Sequence, residues 1–227
     1  MLIDCGFGPR ELIFRLARLG LAPADMDAIL VTHEHGDHVG AVARCAARFD
    51  LSVHLSHGTG VAAGLAEATV FDSHTAFAIG NFEITPFPVP HDAREPTQFV
   101  VSDGNRRLGV LTDAGCVTSH MVDVLGGVDA LVLECNHDPE MLRNGNYPWP
   151  LKQRVGGRLG HLDNASAAAL LEQIDRRRLQ HVVAAHLSEQ NNTPDLARSV
   201  LAAVLGCAPR EIAVADQQTG FDWRQIC

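Results

Sequence analysis

The chain has no apolar run approaching the roughly 20 residues that a membrane-crossing helix needs, so no membrane partner is expected. Its start lacks a basic segment leading into an apolar core and a small-residue cleavage site, so no secretory leader is expected either. The six cysteines (5, 45, 116, 135, 207 and 227) form no C-x-x-C pair. Several sit in apolar surroundings, as reduced thiols of a cytoplasmic protein do. Positive charge is in short supply, with 18 Lys+Arg against 27 Asp+Glu. The resulting net charge of −9 argues against wholesale attraction to nucleic acid. A locally positive site stays open, because bound metal is absent from that count. Internal repeats, low-complexity tracts and breaks in composition are all missing. With 227 residues, 46% of them apolar, one globular domain over 1–227 is expected.

What is present is concentrated in one stretch, Ile29-Leu30-Val31-Thr32-His33-Glu34-His35-Gly36-Asp37-His38-Val39-Gly40. A strand-like apolar run ends at Thr32, and His-x-His-x-Asp-His follows. In extended backbone His33 and His35 face the same side, as two ligands of one ion require. Gly36 then allows a sharp turn, so that Asp37 and His38 can address a second ion. Imidazole and carboxylate suit zinc, manganese or iron, and the lack of nearby cysteine argues against a purely structural zinc. The alternative, a histidine-rich surface turn, gives no reason for gathering these groups.

Along the chain, residues 2–4 end a strand and 9–19 form a helix with Pro9 in its first turn. A buried strand covers 27–32, a helix 39–49, a short strand 52–55 and a helix 57–66. Pro86, Pro88 and Pro90 confine the strand at 82–89 to an edge or cut it short. Residues 98–102 and 106–112 pair as a hairpin across Asp103-Gly104-Asn105. Further on come a helix at 118–125, a strand at 129–134 and a short helix at 139–143. The Gly/Pro-rich segment 144–160 reads as a long ordered loop or lid with one short helix. Asp163 or Asn164 caps a helix to 174, and 181–185, 194–205 and 211–215 follow as strand, helix and strand. Strands mixed with helices in this way indicate helices outside two packed sheets.

Three more residues end predicted strands, which is where rigid neighbours can hold a functional group: His91, Asp113 and His186. The candidates divide as His33, His35 and His91 on one ion and Asp37, His38 and His186 on another, with Asp113 bridging both.

The ordered set Asp4, His33-x-His35-x-Asp37-His38, His91, Asp113 and His186 resembles the metallo-β-lactamase superfamily over nearly the whole chain. The resemblance implies a four-layer αβ/βα sandwich with two divalent metal ions, zinc or manganese. It gives Asp4 a supporting role behind the metal ligands. Leu133-Glu134-Cys135-Asn136-His137-Asp138, Tyr147-Pro148 with Leu151-Lys152-x-Arg154, Gly160-His161-Leu162-x-Asn164 and His186-Leu187-Ser188-x-x-Asn191-Asn192 are similar to the YycJ (WalJ) branch. That branch is related to the tRNA 3′-processing endonucleases, and its members are regarded as metal-dependent phosphodiesterases, some acting as DNA exonucleases. It begins with a strand, a Gly-Ser-rich turn and a strand ahead of the Asp4 segment. Here Met1-Leu2-Ile3-Asp4 opens the chain, so by comparison the fold is expected to lack its first strands. The sheet edge this exposes leaves oligomer formation open.

The expected mechanism uses two cations about 3.5–4 Å apart to hold an activated hydroxide, with Asp37 orienting it. His161 is the candidate proton donor to the leaving oxygen, with Glu134 holding its other nitrogen. Related tRNA-processing enzymes use a Glu–His pair at the corresponding motifs. Asn136 and His137 either contact phosphate or fix their loop, Asn164 is a further candidate for substrate binding, and Lys152 and Arg154 are candidates for backbone phosphates. The substrate expected is nucleic acid, DNA before RNA. Two alternatives stand: a two-metal hydrolase of small esters, thioesters or lactones, and a truncated metal-binding protein without turnover.

Overall fold

Ala28, Ile29 and Leu30 are fully buried, as a parallel strand covered on both faces must be. The computed structural model describes residues 1–227, and backbone contacts group them into two units. One is Met1–Ile79 with Ala93–Thr97, and the other is Gly80–Asp92 with Gln98–Cys227.

In the first unit a four-stranded sheet runs in the order β1 (Leu2–Ile3), β2 (Ala28–Leu30), β3 (Ser52–Ser56), β4 (Thr69–Phe71). Every pairing is parallel, so each connection must cross over, and helices carry it. α1 (Pro9–Arg18) turns Leu12 and Leu16 inward at i, i+4 spacing. The helix read from 39 to 49 starts later, as α3 (Val42–Phe49), and a separate turn of helix, α2 (Gly36–Val39), precedes it. The break has a visible cause: the Ala41 amide bonds the carbonyl of Cys5 at 2.9 Å. α4 (His57–Ala63) starts from Ser56, whose hydroxyl accepts from the Thr59 amide. β5 (Phe77–Ile79) stacks Phe77 on Phe71 of β4, ring centroids 5.0 Å apart.

In the second unit the strand order is β11 (Ala213–Val214), β10 (His181–Ala185), β9 (Ala130–Glu134), β8 (Arg107–Leu111), β7 (Thr97–Ser102), β6 (Phe82–Pro88). β6 keeps seven residues despite its prolines. β7 and β8 form the expected antiparallel hairpin, with Ser102 opposite Arg107. Asp103 closes its turn by accepting from the amides of Asn105 and Arg106. From β8 to β11 the pairing is parallel. The helices are α5 (Ser119–Leu125), α6 (Pro139–Asn144), α7 (Trp149–Val155), α8 (Asn164–Gln173) and α9 (Pro194–Leu205). Thr118, Asp138, Asp163 and Thr193 cap α5, α6, α8 and α9 through side-chain oxygens. A core of Leu111, Leu125, Leu131, Leu133, Leu170, Leu171 and Leu201 joins this sheet to its helices. Its consequence for function is that β8, β9 and β10 end side by side at Leu111, Glu134 and Ala185, with Asp113 and His186 just past the strand ends.

Candidate metal and catalytic centre

In the first unit the histidine cluster hangs from Asp4. This residue has a left-handed backbone, φ 62°, which turns its carboxylate back over the end of β2. Oδ1 accepts from the Thr32 amide at 2.8 Å, and Oδ2 accepts from the Thr32 hydroxyl at 2.9 Å and from Nδ1 of His38 at 2.8 Å. Having given its proton to Asp4, the Thr32 hydroxyl accepts from Nδ1 of His33 at 3.0 Å. Both rings therefore carry the proton on Nδ1 and the lone pair on Nε2. The His33 ring lies 4.5 Å from that of His35 and 4.1 Å from that of His38.

Gly36 opens α2 rather than adopting a left-handed turn, and His35 is the residue from which that helix starts. The sharp bend comes instead from helix initiation, which puts Asp37 and His38 in the first turn. Oδ2 of Asp37 sits 3.3 Å from Nε2 of His38. Two lone-pair atoms at that separation repel unless a proton or a cation lies between them. The turn is pressed against the Asp4 segment: the Cys5 amide bonds the His38 carbonyl at 2.7 Å, and a Cβ on Gly6 would come within 1.9 Å of the Asp37 carbonyl oxygen. Glu34, inside the motif, points elsewhere and accepts from the Arg94 amide at 2.7 Å.

In the second unit the three strand-end candidates are brought to one place. Asp113 and His186 both have left-handed backbones, φ 53° and 56°, a conformation that costs a non-glycine residue about 1–3 kcal/mol and marks functional positions. Nδ1 of His91 donates to the Gly160 carbonyl at 2.9 Å, leaving the lone pair on Nε2, 3.8 Å from Oδ1 of Asp113. Burial, opposed by Asp113, keeps the His91 imidazole below its ordinary pKa and so neutral, the form that ligates metal. Asp113, Glu134, His161 and His186 each present a ligand-type atom within 4.8 Å of the others.

Glu134 organises this group. It is fully buried, yet both oxygens are saturated: Oε1 accepts from Nδ1 of His161 at 2.9 Å and Nδ1 of His186 at 2.8 Å, and Oε2 from the amides of Ala114 at 2.9 Å and Leu162 at 3.0 Å. Burial pushes its pKa up, but the two histidine bonds outweigh it and hold the carboxyl well below its usual range. The bond to His161 is the one expected from the motifs, and the bond to His186 adds a second histidine to the same oxygen.

Comparison with known proteins fits this geometry. The family model described as a β-lactamase superfamily domain matches residues 1–186. The exodeoxyribonuclease YycJ of Bacillus anthracis is 36% identical, over 90% of this chain and 80% of its own. The exodeoxyribonuclease WalJ of Streptococcus pneumoniae serotype 2 (strain D39) is 30% identical, over 99% of this chain and 84% of its own. Among solved structures, the metallo-β-lactamase fold protein YhfI from Bacillus subtilis superposes with a TM-score of 0.71 at 18% identity, covering 97% of this chain and 85% of that one. This chain belongs to the metallo-β-lactamase superfamily. It shares that superfamily's fold and its character as a metal-dependent hydrolase.

The donors fit a divalent cation in this superfamily member. In His33, His38, His91 and His186, Nδ1 is engaged by Thr32, Asp4, the Gly160 carbonyl and Glu134. Each imidazole is thereby oriented with Nε2 as the electron-pair donor, the arrangement that metal-ligating histidines adopt. The partners Thr32 and Gly160 went unnoticed in the sequence, since neither a lone hydroxyl nor a backbone carbonyl leaves a signal there.

The candidates for substrate contact divide. Asn136, His137 and Asn164 are buried. Asn136 donates to the His186 carbonyl at 3.0 Å, Nδ1 of His137 lies 3.3 Å from Oδ1 of Asn136, and Asn164 pairs with Asn192. Of the two roles left open for Asn136 and His137, these bonds are those of fixing the loop. Lys152 reaches the Arg143 carbonyl at 2.7 Å, and Arg154 donates through Nε to Asp92 at 2.5 Å, where its guanidinium remains largely exposed.

Proposed function

We propose that this protein is a cytoplasmic, single-domain phosphodiesterase acting on nucleic acid, with DNA exonuclease activity and two bound divalent ions, zinc or manganese. One observation carries the reading: the carboxylate-backed imidazole of His161, bonded to Glu134 at 2.9 Å beside Asp113 and His186. A hydrolase of carboxylic esters or lactones can expel its leaving group with less help, whereas an alkoxide leaving a phosphodiester calls for a positioned acid. The two relatives named as exodeoxyribonucleases support the same substrate class.

In this reading His33, His35 and His91 would hold one ion, Asp37, His38 and His186 the other, and Asp113 would serve both. Such ions supply Lewis-acid stabilisation of a phosphoryl group and lower the pKa of water toward neutrality. Asp37 orients the attacking water. His161 delivers its proton to the departing oxygen, while Glu134 fixes the ring and balances its charge. Arg154 and Lys152, on α7, steady backbone phosphates on either side of the scissile bond.

The test uses the purified protein reconstituted with zinc or with manganese. It is offered bis(p-nitrophenyl) phosphate, end-labelled single- and double-stranded DNA, and a small thioester and lactone. The expected result is hydrolysis of the phosphodiesters, abolished in His33→Ala and in Asp113→Ala. Turnover of the thioester or lactone with no phosphodiester cleavage would replace this reading with the small-ester one. Stoichiometric metal without any turnover would leave a binding protein.

A further inference from the structure

The catalytic groups of the second unit stand where the sheet has ended. β9 and β10 are paired as far as Glu134 opposite Ala185. Past that point no ladder holds His186, and His161 arrives on a third, non-strand segment. What replaces the ladder is a set of buried asparagines. Asn136 donates its side-chain amide to the His186 carbonyl at 3.0 Å, and its own carbonyl accepts from the Ser188 amide at 2.8 Å. Asn192 donates to the Cys135 carbonyl at 2.7 Å and accepts from the Thr193 amide at 2.8 Å. Asn164 and Asn192 face each other and exchange two bonds, both 2.9 Å. The backbone completes the stitching, from the Asn136 amide to Leu162 and from the Asn164 amide to His137, both at 2.9 Å.

We propose that the Asn164–Asn192 pair, with Asn136, is a positioning lock that sets His186 and His161 at their shared distance from Glu134. The inference rests on the reading of His161 as acid and His186 as metal ligand. Asn164 is 2% and Asn192 6% exposed, which explains the residue type. An amide gives and accepts a bond without charge, so two can satisfy each other in the interior, where a carboxylate would need a cation. The lock also accounts for the left-handed backbone of His186. That conformation survives only where neighbours over-determine it, and the Asn136 bond falls on the carbonyl of that same residue.

The experiment compares Asn164→Ala, Asn192→Ala, the double variant and the isosteric Asn136→Asp with the full-length wild type. Zinc affinity is measured by chelator competition, kcat and KM with end-labelled DNA, whose alkoxide leaving group needs the acid, and Tm on metal-free protein. Each single alanine variant is expected to weaken zinc about tenfold and to lower kcat with KM little changed. The double variant is expected to be no worse than Asn192→Ala alone, because that change already removes the pair together with the bond to Cys135. A lowered Tm with zinc affinity and kcat unchanged would make the pair a brace only, and would overturn the proposal. Should an alanine variant fail to fold, Asn136→Asp decides, since it keeps the shape and removes the donor to His186: unchanged zinc affinity there also overturns it. The zinc measurement needs no turnover, so a wild type inert toward the phosphodiester sinks the functional reading alone and leaves the lock to be judged on metal.

Discussion

Glu134 and His186 are 52 residues apart in sequence and are joined at 2.8 Å, on the same carboxylate oxygen that His161 uses. One buried oxygen therefore orients the acid candidate and a metal-ligand candidate together. Glu134→Gln is expected to damage both. A glutamine can present its carbonyl oxygen either to the two imidazoles or to the two backbone amides, and its NH2 then confronts donors on the other side. Metal affinity should fall about 10–100-fold, along with hydrolysis. Equilibrium metal titration of the variant checks this. Full affinity with lost activity would confine Glu134 to serving His161.

Gly6 tests whether the ligand turn needs its close approach to the Asp4 segment. In Gly6→Ala the added Cβ would start 1.9 Å from the Asp37 carbonyl oxygen, and both partners are backbone, so neither can simply swing aside. A loss of about 1–3 kcal/mol is expected, the usual cost of overpacking, together with weaker metal binding through the displaced Asp37 and His38. Urea unfolding and metal titration on the same preparation measure the two effects. A variant of wild-type stability and affinity would show that the turn is pliable.

Asp129 offers a test away from the site. Burial would raise its pKa, but the Arg107 amide at 2.8 Å and the Arg178 guanidinium at 3.1–3.2 Å win, and it lies below the ordinary 3.8. Its folded pKa is thus depressed. The stability it contributes is complete above the unfolded value and is lost as pH falls through the folded one. Asp129→Asn should therefore have a lower urea midpoint than wild type near neutral pH, and the gap should close as pH falls from the ordinary carboxylate range through the depressed folded pKa. A gap independent of pH would contradict the charge argument.

Legibility in the sequence followed how local the determinant was. β10 and α9 occupy the spans expected, because an apolar run and a Thr-Pro start followed by a Gly stop are local signals. β4 and β5, three residues each, were missed; two of the three β4 side chains are exposed and give no alternation. The helix expected from 39 begins only at Val42, because the carbonyl that takes the Ala41 amide belongs to Cys5, far back in the chain. At the site, histidines and aspartates ending apolar runs stood out by their chemistry. Thr32 did not, and Gly160 and Asn192 showed only as members of a motif, because their roles depend on which segments meet.

Asp4, Asp113 and His186 share a backbone twist that glycine adopts without penalty. The polypeptide would be more comfortable with no side chain at all in these three places. A laboratory selection that rewarded heat tolerance alone would thus be drawn toward glycine there, trading chemistry for endurance. Retaining an aspartate or histidine at each is a standing cost, and only what those side chains do repays it.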